Sequence, residues 1–309
     1  MHVLSQFLVT FERGGTVVWL ATLAFMALAV ARIVDLRKEP VNVVLDRVEQ
    51  GLGVRLDRAT VIRKRRSLGG RTDRGTWVRI ERRGFERIGV QGGNGTEAAA
   101  VLDGVVMPQW YRGLAWRNES EPAMWRADEL ELISDPPIGK GALVLRDPEL
   151  PERWWAALST SLDALAAHRT PRVATPDTEL MTQELVTAKL GEVFPEVEDT
   201  LVGQWAAAHA DLTWANVMGP EFSIIDWEDW GMAPRGLDAA TLWGNALAVP
   251  ELADRVHRER RADLESRDGK LMALFLLSKI VGPHAYEDDP LLVPARKEAS
   301  RLVVELQAA

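Results

Sequence analysis

The sequence contains no cysteine. That excludes disulfides, a thiolate metal site and a cysteine nucleophile, and it leans towards a reducing compartment. Histidine is scarce, with five residues at positions 2, 168, 209, 257 and 284. A hydrolase using His209 and Asp211 as metal ligands therefore lacks a convincing further ligand. Positive charge is also short. Against 45 Asp+Glu there are 37 Lys+Arg, a formal net charge of −8. A general nucleic-acid partner is excluded on that balance, because it needs a basic footprint; a local basic pocket for a nucleotide is not. There is no internal repeat and no low-complexity tract. What is present is 309 residues, 47% of them hydrophobic. That is enough for a substantial core in one large domain or two lobes.

Thr16 to Ala31 form an unbroken apolar run. As a helix it would span roughly 24 Å, short of the roughly 30 Å hydrocarbon core. Three readings stay open for residues 1–40: a membrane anchor using residues 16–34, a secretory signal ending at Ala29-Val30-Ala31, or a soluble buried helix or translated leader. Arg32, Arg37 and Lys38 follow the run. For an anchor, they would leave the rest of the chain in the cytoplasm, tethered to the inner membrane face.

Beyond residue 40 the pattern becomes ordinary. Val41, Val44, Leu45, Val48 and Leu52 recur at helical spacing before Gly53, which predicts a helix stopping there. Ala59 to Ser67, Thr76 to Arg82 and Phe85 to Gln91 read as three strands of an antiparallel meander. The turn Leu68 to Gly75 separates the first two. Thr96 can cap a short helix from Glu97 to Leu102. Met124 to Ile133 predicts two short strands or one bent strand, ended by Asp135-Pro136-Pro137. The second half predicts helices at residues 152–168, 182–193 and 197–208, a short strand at Ser223 to Ile225, and a helical tail. Strands first and helices afterwards imply an α+β chain with two lobes. The expected division is 41–135 for the first lobe and 136–309 for the second.

The segment from His209 to Glu228 carries the chemistry. It reads H-x-D-x-x-x-x-N over His209, Asp211 and Asn216, followed ten residues later by Asp226 in Ile224-Ile225-Asp226-Trp227-Glu228. An aspartate in a polar loop can accept a hydroxyl proton. An asparagine and a second aspartate nearby can offer hard oxygen ligands to Mg²⁺. Such a metal offsets phosphate charge in phosphoryl transfer.

With these spacings the sequence resembles the aminoglycoside phosphotransferase family of the protein-kinase-like fold. The resemblance is tight over Trp205 to Glu228 and loose before Met124. It implies a small antiparallel-sheet N-lobe and a larger helical C-lobe, and the apolar run before residue 40 would place an apolar helix in front. It also implies a Mg²⁺-dependent phosphotransferase using ATP or GTP, with a small hydroxylated molecule as acceptor. By position, Asp211 is the base, Asn216 and Asp226 are the metal ligands, His209 braces the loop and Asp238 ties it down. Gly69, Gly70 and Arg71 stand where the phosphate-covering loop belongs. Glu97 matches the helix glutamate that pairs with a strand cation, and Leu130 to Ser134, around Ile133, match the hinge that meets the base. The family's strand lysine is missing from FERIGVQ. Arg87 is the nearest cation and Arg79 the alternative, so Glu97 is expected to pair with Arg87 or Arg79. The missing lysine keeps a second reading open, a non-catalytic kinase-like binding protein. Trp214, Trp227, Trp230 and Trp243 either line a pocket or pack in the core. Glu228, Asp229 and Glu287 to Asp289 either hold a cationic acceptor or are solvated loops.

Overall fold

The computed structural model describes residues 34–118 and 121–308. The apolar run 16–31 lies outside them, and so do the expected N-terminal helix and residues 16–33 of the expected membrane contact, whereas Val34 packs against the core of the first lobe. Among the described residues, no helix is long and apolar enough to cross a membrane.

The first lobe begins with α1 (Asn42–Leu52), which buries Leu45, Val48 and Leu52 and stops at Gly53 with φ +64°. That left-handed value favours glycine at a helix end. A five-stranded antiparallel sheet follows, in the order β1-β2-β3-β5-β4. Its strands are β1 (Ile62–Arg63), β2 (Ser67–Arg71), β3 (Thr76–Gly84), β4 (Trp110–Arg117) and β5 (Ala123–Glu131). Alternation along β3 divides its faces. Val78 and Ile80 are buried in the lobe's core with Leu45, Val48 and Leu68. Trp77, Arg79 and Glu81 take the opposite face, where Trp77 and Arg79 line the cleft.

Several expected elements differ. Gly69 and Gly70 lie inside β2, and the chain reverses at residues 64–66 and again at Thr72 to Gly75. Gly69 suits a strand here because a Cβ would come within 2.3 Å of the Trp77 ring. Phe85 to Gln91 form a helix, α2, not a third strand. Its last residue, Gln91, is buried and donates to Asp229 across the lobes. Met124 to Ile133 contribute one continuous strand, β5, whose neighbour β4 the periodicity did not reveal. A five-residue helix, α3 (Gly95–Ala99), has Asn94 rather than Thr96 at its N-cap position, with no side-chain cap hydrogen bond. Its Ala99 belongs to the core of the second lobe.

The second lobe is mainly helical. Its longer helices are α4 (Glu152–Ala167), α5 (Gln183–Val193), α6 (Leu237–Gly244), α7 (Pro250–Glu259), α9 (Arg267–Val281) and α10 (Leu292–Gln307), with a single-turn α8 (Arg261–Leu264). The expected helix at 197–208 is instead a loop and β6 (Trp205–Ala208). β6 pairs antiparallel with β9 (Gly231–Pro234), and β7 (Val217–Met218) with β8 (Ser223–Ile224). These two small ladders hold the loops that carry Asp211 and Asp226.

Candidate active site

The loop 209–216 leaves β6 and is fixed from beneath. Asp238, on α6, accepts from the backbone N–H of His209 at 2.7 Å and of Ala210 at 2.9 Å. Ala210 takes φ +70° there, a strained value for a residue with a Cβ. Both N–H groups are buried, so the carboxylate satisfies donors that would otherwise be orphaned. His209 is fully buried. Its Nε2 donates to the Ile225 carbonyl at 2.9 Å, and its Nδ1 accepts from Asp211 N–H at 3.3 Å. The ring therefore bridges the Asp211 loop to the Asp226 segment, as a brace and not as a reacting group.

Asn216 closes the loop. Its Nδ2 donates to the Asp211 carbonyl at 2.8 Å and to Asp211 Oδ2 at 2.9 Å. One oxygen of Asp211 is thereby oriented, which leaves the other to accept a proton. Burial is the main cause pushing the Asp211 carboxyl up to about 6, helped by Asp226 and Asp229 and opposed by His209 and the Asn216 bond. A carboxylate poised near neutral pH suits general-base chemistry.

Asp226 faces this loop with φ +72°. Its Oδ1 accepts from Arg79 on β3. Arg79 also donates to Glu228, and to Glu81 at 2.6 Å. Arg83, four residues beyond Arg79 on the same face, pairs with Glu228 at 2.6 Å and with Glu81 at 2.5 Å. Burial opposes the charge of Asp226, but Arg79 outweighs it, with His209 and Lys64 adding, so its pKa lies below the ordinary carboxylate value. Burial likewise opposes the charge of Arg79, and Asp226 and Glu81 reverse that effect and raise it.

Between the lobes lies a cavity of about 580 Å³. Trp77 and Arg79 form its roof, Leu130 to Asp135 its back, and Asn216, Met218, Ile225 and Asp226 its floor. Asn216 and Asp226 thus present hard oxygen donors to one cleft, a set that fits Mg²⁺ with phosphate and water completing its shell. Among the described residues, no cluster of three or more His, Cys, Asp or Glu could hold a metal. A two-residue set relies on the substrate for its remaining ligands.

Of the residues singled out in sequence, Gly69, Arg71 and Ile133 also line this cavity, whereas Gly70, Arg87 and Glu97 are not among its lining. Gly70 alternates to the opposite side, where a Cβ would meet Val61 and Leu56. Arg87 sits on α2, donates to Gln91 and approaches Glu228 at 3.7 Å. Glu97 pairs with Arg126 of β5 at 3.2 Å, not with Arg87 or Arg79. The reason is that Glu81 and Glu228 already occupy the Arg79 guanidinium. Glu228 and Asp229 are equally engaged, Asp229 with Gln91 and with Thr175 at 2.8 Å. Neither is therefore free to hold a cationic acceptor. Trp214 is fully buried and donates to the Leu242 carbonyl at 3.1 Å, so it packs. Trp227, Trp230 and Trp243 are buried as well, and Trp227 also lines the cleft. Sequence reasoning missed Trp77, Glu81 and Arg83. The alternation of Thr76 to Arg82 was the signal that places Trp77, Arg79 and Glu81 on one face.

No family model matches the chain, and no curated protein matches it. Solved structures do resemble it. The GDP and kanamycin complex of APH(2")-IIIa has a TM-score of 0.52 at 14% identity, covering 87% of this chain and 98% of that one. A GDP complex of wild-type aminoglycoside 2'-phosphotransferase-IIIa has a TM-score of 0.49 at 13% identity, covering 80% and 92%. Amicoumacin kinase hAmiN, in complex with AMP-PNP and Ca²⁺, has a TM-score of 0.46 at 12% identity, covering 87% and 94%. The APH(2")-IIIa match spans both lobes. The chain has the two-lobed, kinase-like α+β fold of the aminoglycoside phosphotransferases.

Proposed function

We propose that the chain is a Mg²⁺-dependent phosphotransferase that moves the terminal phosphate of ATP or GTP to a hydroxyl of a small molecule. The observation that carries this reading is the arrangement of Asp211 and Asn216, bonded to each other, beside a cleft that Asn216, Asp226 and Arg79 line. The hinge residues Leu130 to Ser134 would meet the base. Arg79 stands as the β3 cation that FERIGVQ lacks. Asn216 and Asp226 would hold Mg²⁺, which supplies positive charge to the phosphates.

Asp211 receives the proton of the acceptor hydroxyl as its oxygen attacks the terminal phosphorus. A new P–O bond forms, the bridging P–O bond breaks, and the nucleoside diphosphate leaves. The loop geometry supports this step, because Asp211 is oriented by Asn216 and its backbone is latched by Asp238. One observation favours the second reading, a non-catalytic binding protein. Arg79 already occupies an oxygen of Asp226, which a metal must share or take over. We also infer that the catalytic part works in the cytoplasm, with residues 16–34 as a candidate tether.

Titration with Mg·ATP and Mg·GTP, followed by a phosphate-acceptance screen of hydroxylated metabolites and antibiotics, tests the proposal. Asp211→Asn should abolish transfer and leave nucleotide affinity within about threefold, since it removes the base and not the cleft. The wild-type rate should fall as pH is lowered through about 6, where Asp211 gains its proton. Binding of neither nucleotide would sink the enzyme reading.

A further inference from the structure

We propose that Lys64 is a phosphate-binding residue, and that the basic turn Lys64-Arg65-Arg66 covers the terminal phosphates with side-chain charge, in place of glycine backbone amides. This deepens the nucleotide reading above and rests on it.

The first argument is position. The glycines at 69 and 70 lie within β2, so the turn that overhangs the cleft is the one between β1 and β2. In the sheet, Arg71 pairs with Trp77, and Trp77 with Leu130 at the hinge. Ser67 pairs with Glu81, four residues further along β3. At about 3.4 Å per residue, the turn begins roughly 14 Å from the hinge. A base held at the hinge would extend its phosphates in that direction, past Arg79. Lys64 lines the same cavity as Arg79, Asn216 and Asp226.

The second argument is charge. Arg79 and Arg83 are shared among Glu81, Asp226 and Glu228, so the cations on the roof are neutralised internally. Asp211 and Asp229 add further negative charge around the floor. A polyphosphate entering this cleft needs a cation that no carboxylate has already taken. Among the described residues, the side chains of Lys64, Arg65 and Arg66 make no ion pair or hydrogen bond; of the two arginines that line the cleft, Arg79 is paired, and Arg71, also without a side-chain partner, lies at the hinge end of β2, opposite Trp77. Of these three, Lys64 reaches the cavity. All three are exposed, so their stems can rearrange without disturbing the core. An ammonium group on a flexible stem suits a phosphate as a movable point charge.

Calorimetric titration of wild type, Lys64→Gln and Lys64→Arg with Mg·ATP, ADP and adenosine tests this. Lys64→Gln should weaken triphosphate binding about tenfold, which is about 1.4 kcal/mol. Adenosine affinity should stay within about twofold, and Lys64→Arg should recover most of the triphosphate affinity. An unchanged melting temperature confirms that the variants fold. If Lys64→Gln binds triphosphate as well as wild type, the residue is only part of a solvated turn and the inference falls. If it weakens adenosine as much as triphosphate, the effect is not on phosphate and the inference also falls. Wild type that binds no nucleotide overturns both this inference and the reading beneath it.

Discussion

Arg79→Met removes the guanidinium shared by Asp226, Glu81 and Glu228 while keeping an apolar stem in place. Breaking a buried ion pair from one side costs about 3–5 kcal/mol, because the other charge is left uncompensated. The Arg79 and Asp226 side chains retain 22% and 26% exposure, so solvent screens part of that cost. Arg83 still pairs with Glu81 and Glu228. A loss of about 2–4 kcal/mol at pH 7 is expected. The pH dependence identifies the cause. In wild type, Arg79 holds Asp226 below its ordinary value of 3.8. The stabilisation is therefore present above 3.8 and is lost as pH falls through the lower folded-state value. In the variant the main opposing charge is gone, burial prevails, and ionised Asp226 destabilises the fold until acid neutralises it. The difference between the two proteins should be largest near neutral pH and shrink as pH approaches 3.8 and below. Urea denaturation of both proteins from pH 7 to about pH 3.5 measures this. An equal difference at both ends would show that Arg79 acts by packing, and would refute the electrostatic account of the cleft.

Asp238→Ala strips the acceptor from two buried N–H groups, each worth about 1–3 kcal/mol. A stability loss of about 2–6 kcal/mol is expected, with kcat falling while nucleotide affinity changes little, as read by chemical denaturation and steady-state kinetics. Gly69→Ala would place a methyl 2.3 Å from the Trp77 ring. The indole must shift, at about 1–3 kcal/mol. In a Trp77→Ala background the same substitution should cost less than about 0.5 kcal/mol, a coupling that a double-mutant cycle measures.

The candidate site was legible in sequence because it is local. Asp211, Asn216 and Asp226 lie within sixteen positions, and short loops hold them wherever the lobes stand. The latch by Asp238 was legible for a related reason, since it lies on the first helix after the second loop. The stop at Gly53 and the helix at 152–167 followed from periodicity and a residue able to adopt positive φ.

The first lobe was harder, because its decisive partners are distant in the chain. FERIGVQ is short enough to alternate as a strand or wind as a helix. Burial of Gln91 against Asp229, 138 residues away, favours the helix. The glycines of β2 look like a turn until Trp77 is laid across them. Glu97 was expected on a strand cation, yet that cation had been claimed by Glu228, 149 residues further on. Sequence alone determined which groups could do chemistry and in what order they come. Only the tertiary structure decided which cation meets which carboxylate, because a guanidinium's donors go to the acceptors nearest in space, whatever their separation in the chain.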